Sequence, residues 1–288
     1  MQYETTFIET NGIKLHTILA GPEDGQTVIL LHGFPESWYG WRKQIPALAA
    51  AGYRVIVPDQ RGYNLSDKPK GVKAYRMDML VADILGLIDA LGTQKVNLAG
   101  HDWGAAVAWE LAIRHPERVR RLGILNVPHP AVVRNFLRRG DPEQLRRSWY
   151  IFAFQLPWLP EYFLRKNDWR NTVRALRGSG KIHTFSNEDI AEYKQAWSQP
   201  GAMTAMLNWY RAAARHWPKS KGDLCVKVPT LMLWGMKDVA LSHRMARPSM
   251  DYCDDGKLVF FEDATHWVQY DEAENVTKLL LEFLRQTP

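Results

Sequence analysis

Asp102 stands at the centre of Gly100-His101-Asp102-Trp103-Gly104, between a short apolar run, Lys95 to Ala99, and an amphipathic stretch, Ala105 to His115. A strand feeding a helix through such a turn holds the central residue in a strained backbone and lifts its side chain to the end of a sheet. Serine is the usual occupant of that position, and serine must lose a proton before it can attack. A carboxylate, with an ordinary pKa of about 3.9, is already ionised. Against an acyl carbon it would form an anhydride, whereas against an electrophilic saturated carbon it forms an ester. The expected chemistry is alkyl transfer to Asp102, then hydrolysis of the alkyl-enzyme ester by water that a histidine activates. Taken alone, Gly-x-Asp-x-Gly is equally a plain turn closed by an Asx hydrogen bond. The rest of the chain decides between these readings.

The elements that would position Asp102 follow a regular grammar. Thr5 to Thr10 and Lys14 to Leu19 alternate in polarity around Asn11-Gly12, the signature of a hairpin. Val28 to Leu31, Val55 to Val57, Val96 to Ala99 and Leu122 to Leu125 are continuous apolar runs, expected of strands buried on both faces. Helical periodicity separates them over Trp38 to Ala50, Arg76 to Leu91 and Ala105 to Arg114, with Gly52, Gly92 and His115-Pro116 at the ends. Strand alternating with helix predicts an α/β fold, a mostly parallel sheet with helices on both faces. The alternation stops after Asn126 to Pro130 and resumes at Val228 to Trp234. The last strand, Leu258 to Phe261, and a helix over Glu274 to Arg285 complete it. The expected organisation is a core in two parts, residues 1–130 and 225–288, around a helical cap insertion at 131–224. That insertion carries Trp149, Trp158, Trp169, Trp197, Trp209 and Trp217. It is expected over the carboxyl ends of the strands, where open α/β sheets bind ligands, with most of these tryptophans in its own core.

With 288 residues, 46% of them apolar, the chain can bury a large core. No apolar run is long enough to span a bilayer, and Met1 to Gly12 reads unlike a secretory leader, so a soluble, cytoplasmic protein is expected. Cys225 and Cys253 have neither disulfide-framework nor metal spacing and read as reduced core thiols. The net charge of +6 is concentrated between Arg134 and Lys221, where 16 Lys or Arg face 7 Asp or Glu. Those arginines are interleaved with tryptophans at helical spacing and match no nucleic-acid-binding motif, so they are assigned to solvated helix faces and no nucleic-acid partner is expected.

Five markers fall at strand ends in order: His32-Gly33-Phe34-Pro35-Glu36, Asp59-Gln60-Arg61-Gly62-Tyr63 through Ser66, Gly100 to Gly104, Gly235 to Asp238, and Ala264-Thr265-His266-Trp267. On these the chain resembles the α/β-hydrolase fold, and within it the epoxide hydrolase and haloalkane dehalogenase branch, over nearly its whole length. The fold orders nucleophile, acid and histidine along the chain, which matches Asp102, Asp238 and His266. Asp238 would fix the tautomer of His266 and stabilise its imidazolium; Glu262 and Asp263, nearer in sequence, rank below it. The resemblance further implies an oxyanion hole from the Phe34 and Trp103 amides, and a structural turn of His32, Gly33 and Pro35 with a cis bond before Pro35. His32 and His101 are read as structural.

Epoxide hydrolases of this branch use two cap tyrosines to hold and protonate the epoxide oxygen. One lies in a Tyr-x-x-x-Phe-Gln run, matched by Tyr150, Phe154 and Gln155; the other lies in Asn-Trp-Tyr-Arg, matched by Asn208-Trp209-Tyr210-Arg211. The pair separates this chain from dehalogenases, whose departing halide needs N–H donors rather than an acid. The implied function is hydrolysis of a largely apolar epoxide to a vicinal diol, with Phe34, Trp103 and Phe154 contacting substrate and no metal or cofactor. A haloalkane or haloacid dehalogenase using the same aspartate is the nearest alternative. A non-catalytic ligand-binding protein on this scaffold is the alternative from another class. Substrate size, stereochemistry and oligomeric state depend on geometry that these motifs do not encode.

Overall fold

The apolar runs assemble into one eight-stranded sheet: β1 (Glu4–Thr10), β2 (Ile13–Ala20), β3 (Gln26–Leu31), β4 (Tyr53–Pro58), β5 (Val96–His101), β6 (Val119–Leu125), β7 (Thr230–Gly235) and β8 (Gly256–Phe261). The computed structural model describes residues 3–216 and 222–286, so Trp217 lies outside the described residues. The spatial order is β1-β2-β4-β3-β5-β6-β7-β8. The β1-β2-β4 edge is antiparallel and every other pairing is parallel. Asn11 and Gly12 both take positive φ, +42° and +74°, as the tight β1-β2 hairpin requires.

Period-two alternation along the inner strands sorts side chains into two cores. Ile29 and Leu31 face α2 (Met77–Ala90) and α3 (Trp103–Arg114), packing with Ile84, Leu87 and the fully buried Trp109. Val28 and Leu30 face α1 (Ile45–Ala50) on the other side, together with Leu48, Val276 and Leu280. β5 and β7 are buried along their whole length, so their sequences are mostly apolar with no polar-out alternation.

Trp38 to Ala50 departs from the expected single helix. It forms a one-turn 3-10 helix, Trp38–Trp41, opened by the Ser37 side chain, and then α1. Pro46 is the cause: it has no N–H to offer Arg42, and its ring would collide with that carbonyl in a continuous helix, so the helix restarts around it.

Between β6 and β7 the chain is helical: α4 (Pro130–Arg138), α5 (Pro142–Arg147), α6 (Trp149–Ala153), α7 (Leu159–Gly178), α8 (Asn187–Trp197) and α9 (Ala202–Arg215). α7 breaks at Lys166 to Trp169, where the last three residues take left-handed φ. A capping box of Ser186 and Asp189 starts α8. Of the five described tryptophans here, Trp169, Trp197 and Trp209 are buried while Trp149 and Trp158 are exposed. The indoles of Trp197 and Trp209 donate to the Pro35 and Arg61 carbonyls, so these side chains fasten the insertion to the sheet loops and do not only fill its own core. After β7 come α10 (Ala246–Met250), α11 (Val268–Asp271) and α12 (Ala273–Arg285). Cys225 and Cys253 are free and half-buried, which corrects their reading as core thiols: Cys253 pairs with Val226 in an isolated bridge outside the eight strands, and Cys225 directly precedes Val226. Among the described residues, no helix is long and apolar enough to cross a membrane.

Candidate active site

Asp102 alone makes the turn between β5 and α3, with φ +48° and ψ −123°. Such a backbone costs a residue with a β-carbon about 1–3 kcal/mol and persists because its surroundings impose it. Two glycines give it room. A β-carbon on Gly104 would lie 2.2 Å from the Leu31 carbonyl oxygen, and one on Gly33 would lie 2.3 Å from Cβ of Asp102. The loop after β3 and the start of α3 therefore close directly around the carboxylate.

The Phe34 amide donates to Asp102 Oδ1 at 2.7 Å, and the bond between Phe34 and Pro35 is cis. Trp103 opens α3, so its N–H belongs to the first turn, which has no acceptor within the helix and carries the positive end of the helix dipole. Asp102 Oδ2 faces His266 Nε2 at 3.6 Å, and His266 Nδ1 donates to Asp238 Oδ2 at 2.7 Å. Asp238 is buried and saturated: Oδ1 accepts from the amides of Ala240 and Leu241 at 2.7 and 2.9 Å, and Oδ2 accepts also from Asn126 Nδ2 at 2.8 Å. Asp263 pairs instead with Lys237 at the surface, at 2.6 Å. The loops after β3, β5, β6, β7 and β8 thus all reach this one centre.

The electrostatics follow from burial between opposite charges. Burial alone lowers the His266 pKa, but the adjacent Asp238 charge and the hydrogen bonds to Asp102 and Asp238 outweigh it and push it up to about 10. Burial raises both carboxyls, yet His266 holds Asp102 and Asp238 below the usual range. Resting Asp102 is a carboxylate beside an imidazolium.

Above the carboxylate, Tyr150 from α6 and Tyr210 from α9 sit with ring centroids 5.9 Å apart. Burial, then the Asp102 charge, raises both phenols far above their ordinary pKa, so both are protonated at any ordinary pH. Phe34 packs edge-on against Tyr210 and Phe154, and Trp103 against Tyr210. Two cavities meet here. One, of about 680 Å³, is bounded by Phe34, Phe154 and His266; the other, of about 480 Å³, by Trp103, Met77 and Leu80. Asp102, Tyr150 and Tyr210 border both. A reacting carbon between carboxylate and phenols would have an apolar chamber on each side.

Asp102, Asp238, His266, Tyr150, Tyr210, Phe34, Trp103 and Phe154 are therefore brought together. His32 and His101 lie one layer behind. Nε2 of His32 accepts from the Gln60 amide, and burial lowers its pKa, which keeps the ring neutral. His101 bonds Glu36 at 2.8 Å and the His266 carbonyl at 2.9 Å. Among the described residues, no group of three or more His, Cys, Asp or Glu is arranged to hold a metal ion.

A model of the α/β-hydrolase fold family matches residues 26–273. "Epoxide hydrolase 2" of Caenorhabditis elegans is 36% identical over 97% of this chain and 79% of its own length. The chain belongs to the α/β-hydrolase fold family, in its epoxide hydrolase branch. This hydrolase is also 48% identical to the AB hydrolase superfamily protein YfhM of Bacillus subtilis, over 97% of both chains. An epoxide hydrolase of Bacillus megaterium, solved in complex with an inhibitor, superposes with a TM-score of 0.89 at 28% identity, over 98% of this chain and 100% of that one.

Three contributors to this hydrolase's site escaped the sequence reading. Asn126, at φ +54°, ties Asp238 to the end of β7, its Oδ1 taking the Gly235 amide at 3.0 Å. A polar, turn-favouring residue just after the apolar end of β6, Leu122 to Leu125, was the available signal. Gln144 of α5 donates to the Ala240 carbonyl at 3.0 Å and accepts from the Ser242 amide at 2.9 Å, clamping the loop that holds Asp238. Glu36, buried, receives the Tyr270 hydroxyl at 2.6 Å and links the loop after β3 to His101. Glu36 was visible as part of a motif, whereas nothing in the sequence pairs Gln144 with residues almost a hundred positions away.

Proposed function

We propose that this hydrolase converts a largely apolar epoxide and water to a vicinal diol through an ester on Asp102. The observation that carries the reading is the placement of Tyr150 and Tyr210 across one apolar space from a carboxylate that is ionised and already held by an amide. Oδ2 of Asp102 attacks one ring carbon and the bond from that carbon to oxygen breaks. The alkoxide takes a proton from a tyrosine hydroxyl, and the resulting phenolate is an oxyanion that either tyrosine of the pair can carry. Esterification removes one of the two charges that raise His266, so its Nε2 proton becomes available to reprotonate the phenolate through cavity water.

Neutral His266 then removes a proton from the water that attacks Cγ of Asp102, while Asp238 stabilises the imidazolium. The amides of Phe34 and Trp103 receive the tetrahedral oxyanion. Collapse breaks the bond from Cγ to the alkyl oxygen. The departing alkoxide takes the remaining hydroxyl proton of the acid, which leaves diol, carboxylate and imidazolium. No step calls for a metal or cofactor. Residues 131–224 serve as the cap, with 1–130 and 225–288 as the core, and Phe154 joins Phe34 and Trp103 in holding substrate. His32, Gly33 and Pro35 set the turn that presents the Phe34 amide. Half-buried free thiols at Cys225 and Cys253 fit a reducing compartment, and we place the protein in the cytoplasm.

A paired assay tests the reading, scoring diol from aryl and alkyl epoxides against halide from matched haloalkanes and fluoroacetate. Diol without halide is expected. Halide without diol would assign the aspartate to a dehalogenase.

A further inference from the structure

Trp149, Phe152, Leu156, Trp158, Tyr162 and Phe163 are all largely exposed and lie within one short stretch, with Trp149 at 67% and Trp158 at 72% exposure. A folded chain seldom leaves two tryptophans and four other large aromatics or aliphatics so bare without a use for them. Their spacing gathers them into stripes. Trp149 and Phe152 lie one turn apart on α6, Leu156 follows in the turn after it, and Trp158 and Tyr162 lie one turn apart at the start of α7. The rings of Tyr162 and Phe163 touch, at 5.9 Å between centroids, and Lys166 lies over Tyr162 at 5.6 Å.

The surrounding charge has one sign. Arg165, Lys166, Arg170 and Arg174 have no carboxylate partner among the described residues. The two acids of α7 are already engaged, Glu161 by Arg211 and Asp168 by Lys194. The larger cavity opens here, bordered by Trp149, Arg146 and Leu164. Bare aromatics followed along α7 by unpaired cations, at the mouth of an apolar chamber, have the composition of a surface that settles into a headgroup layer.

We infer that the α6 and α7 face docks on an anionic lipid bilayer and sets the mouth of the larger cavity against it. Tryptophan and tyrosine suit the interface because an apolar body carries a polar tip, and the cations add attraction to acidic headgroups. A second copy of this chain is a poor occupant. A twofold contact would bring the same unpaired cations of both copies into one joint. Delivery of an apolar epoxide from the bilayer into the cavity rests on the epoxide hydrolase reading, whereas docking does not.

The test is co-sedimentation of the full chain with phosphatidylcholine vesicles, with and without phosphatidylglycerol. The protein is expected to partition to the anionic vesicles, at least about tenfold above neutral ones at low salt, and to lose much of that preference as salt screens the cations. Trp158→Ser with Phe163→Ser, neither residue part of the catalytic machinery, should weaken partitioning roughly tenfold or more. Its turnover of a short, water-soluble epoxide should be unchanged. Equal partitioning of wild type and variant overturns the inference, as does an absence of binding to anionic vesicles. A wild-type dimer in solution that the variant dissociates would also overturn it and give the face to a second copy. Docking retained without diol formation from any epoxide would refute the proposed function and leave the docking surface standing.

Discussion

The charge on His266 makes a prediction that needs no substrate. The ring is buried between Asp238 at 2.7 Å and Asp102 at 3.6 Å, and its pKa is pushed up to about 10 from an ordinary 6.5. Below pH 6.5 both folded and unfolded chains hold this proton, and the stabilisation is fully present. Between the two values only the folded chain holds it, so stability falls as pH rises, with a slope approaching roughly 1.4 kcal/mol per pH unit. It is lost once pH passes the folded value. Across that window the loss is on the order of 3–5 kcal/mol, a melting shift of about ten degrees for a chain of this size. His266→Gln keeps a donor toward Asp238 but removes the titration. Chemical denaturation of both proteins from pH 6 to 10.5 follows it, because the titrating groups away from Asp102 and Asp238 are common to the two. The wild-type advantage should shrink steadily over the window. Parallel curves would refute the reasoning: His266 would then be neutral at rest and could not return a proton to the tyrosine pair.

Other perturbations probe separate parts of the site. Tyr150→Phe with Tyr210→Phe should slow ring opening by about a hundredfold or more, the scale of general-acid catalysis, in rapid-quench measurement of the first step; near-normal opening would remove the phenols from the mechanism. Asn126→Gly keeps the positive φ but takes a donor from Asp238 and leaves the Gly235 amide bare. It should cost about 3 kcal/mol by denaturation and slow ester hydrolysis more than ester formation. Gly104→Ala forces a β-carbon onto the Leu31 carbonyl and should cost roughly 3 kcal/mol or more, read as lost soluble yield or a lowered melting temperature.

Much of this architecture is legible in the residues, for physical reasons that also set the limits. Val28 to Leu31 announces a central strand because only a strand covered on both faces is apolar at every position, and Val96 to Ala99 does so with Asn97 its one polar residue. Asp102 is legible because a Gly-x-X-x-Gly turn between strand and helix lifts its central residue to the end of the sheet, whereas His266 is legible through the resemblance, which implies a histidine after the last strand. Trp38 to Ala50 misleads because its apolar spacing is helical while Pro46 forbids a continuous helix. Whether a tryptophan in the insertion is covered depends on which helix lies over it: Trp197 and Trp209 reach the sheet loops, and Trp149 and Trp158 reach solvent. Asn126 and Gln144 act through contacts to the distant loop around Asp238, and no local pattern reports such contacts.

The fate of one oxygen atom tests the ester on Asp102 most directly. A single turnover in ¹⁸O-water, with enzyme in excess over epoxide, is followed by mass measurement of the diol and of the peptide containing Asp102. The account predicts an unlabelled diol, whose new oxygen came from the carboxylate, and one ¹⁸O in Asp102. Label in the diol with none in the peptide would mean that water attacks the epoxide directly and that no ester forms.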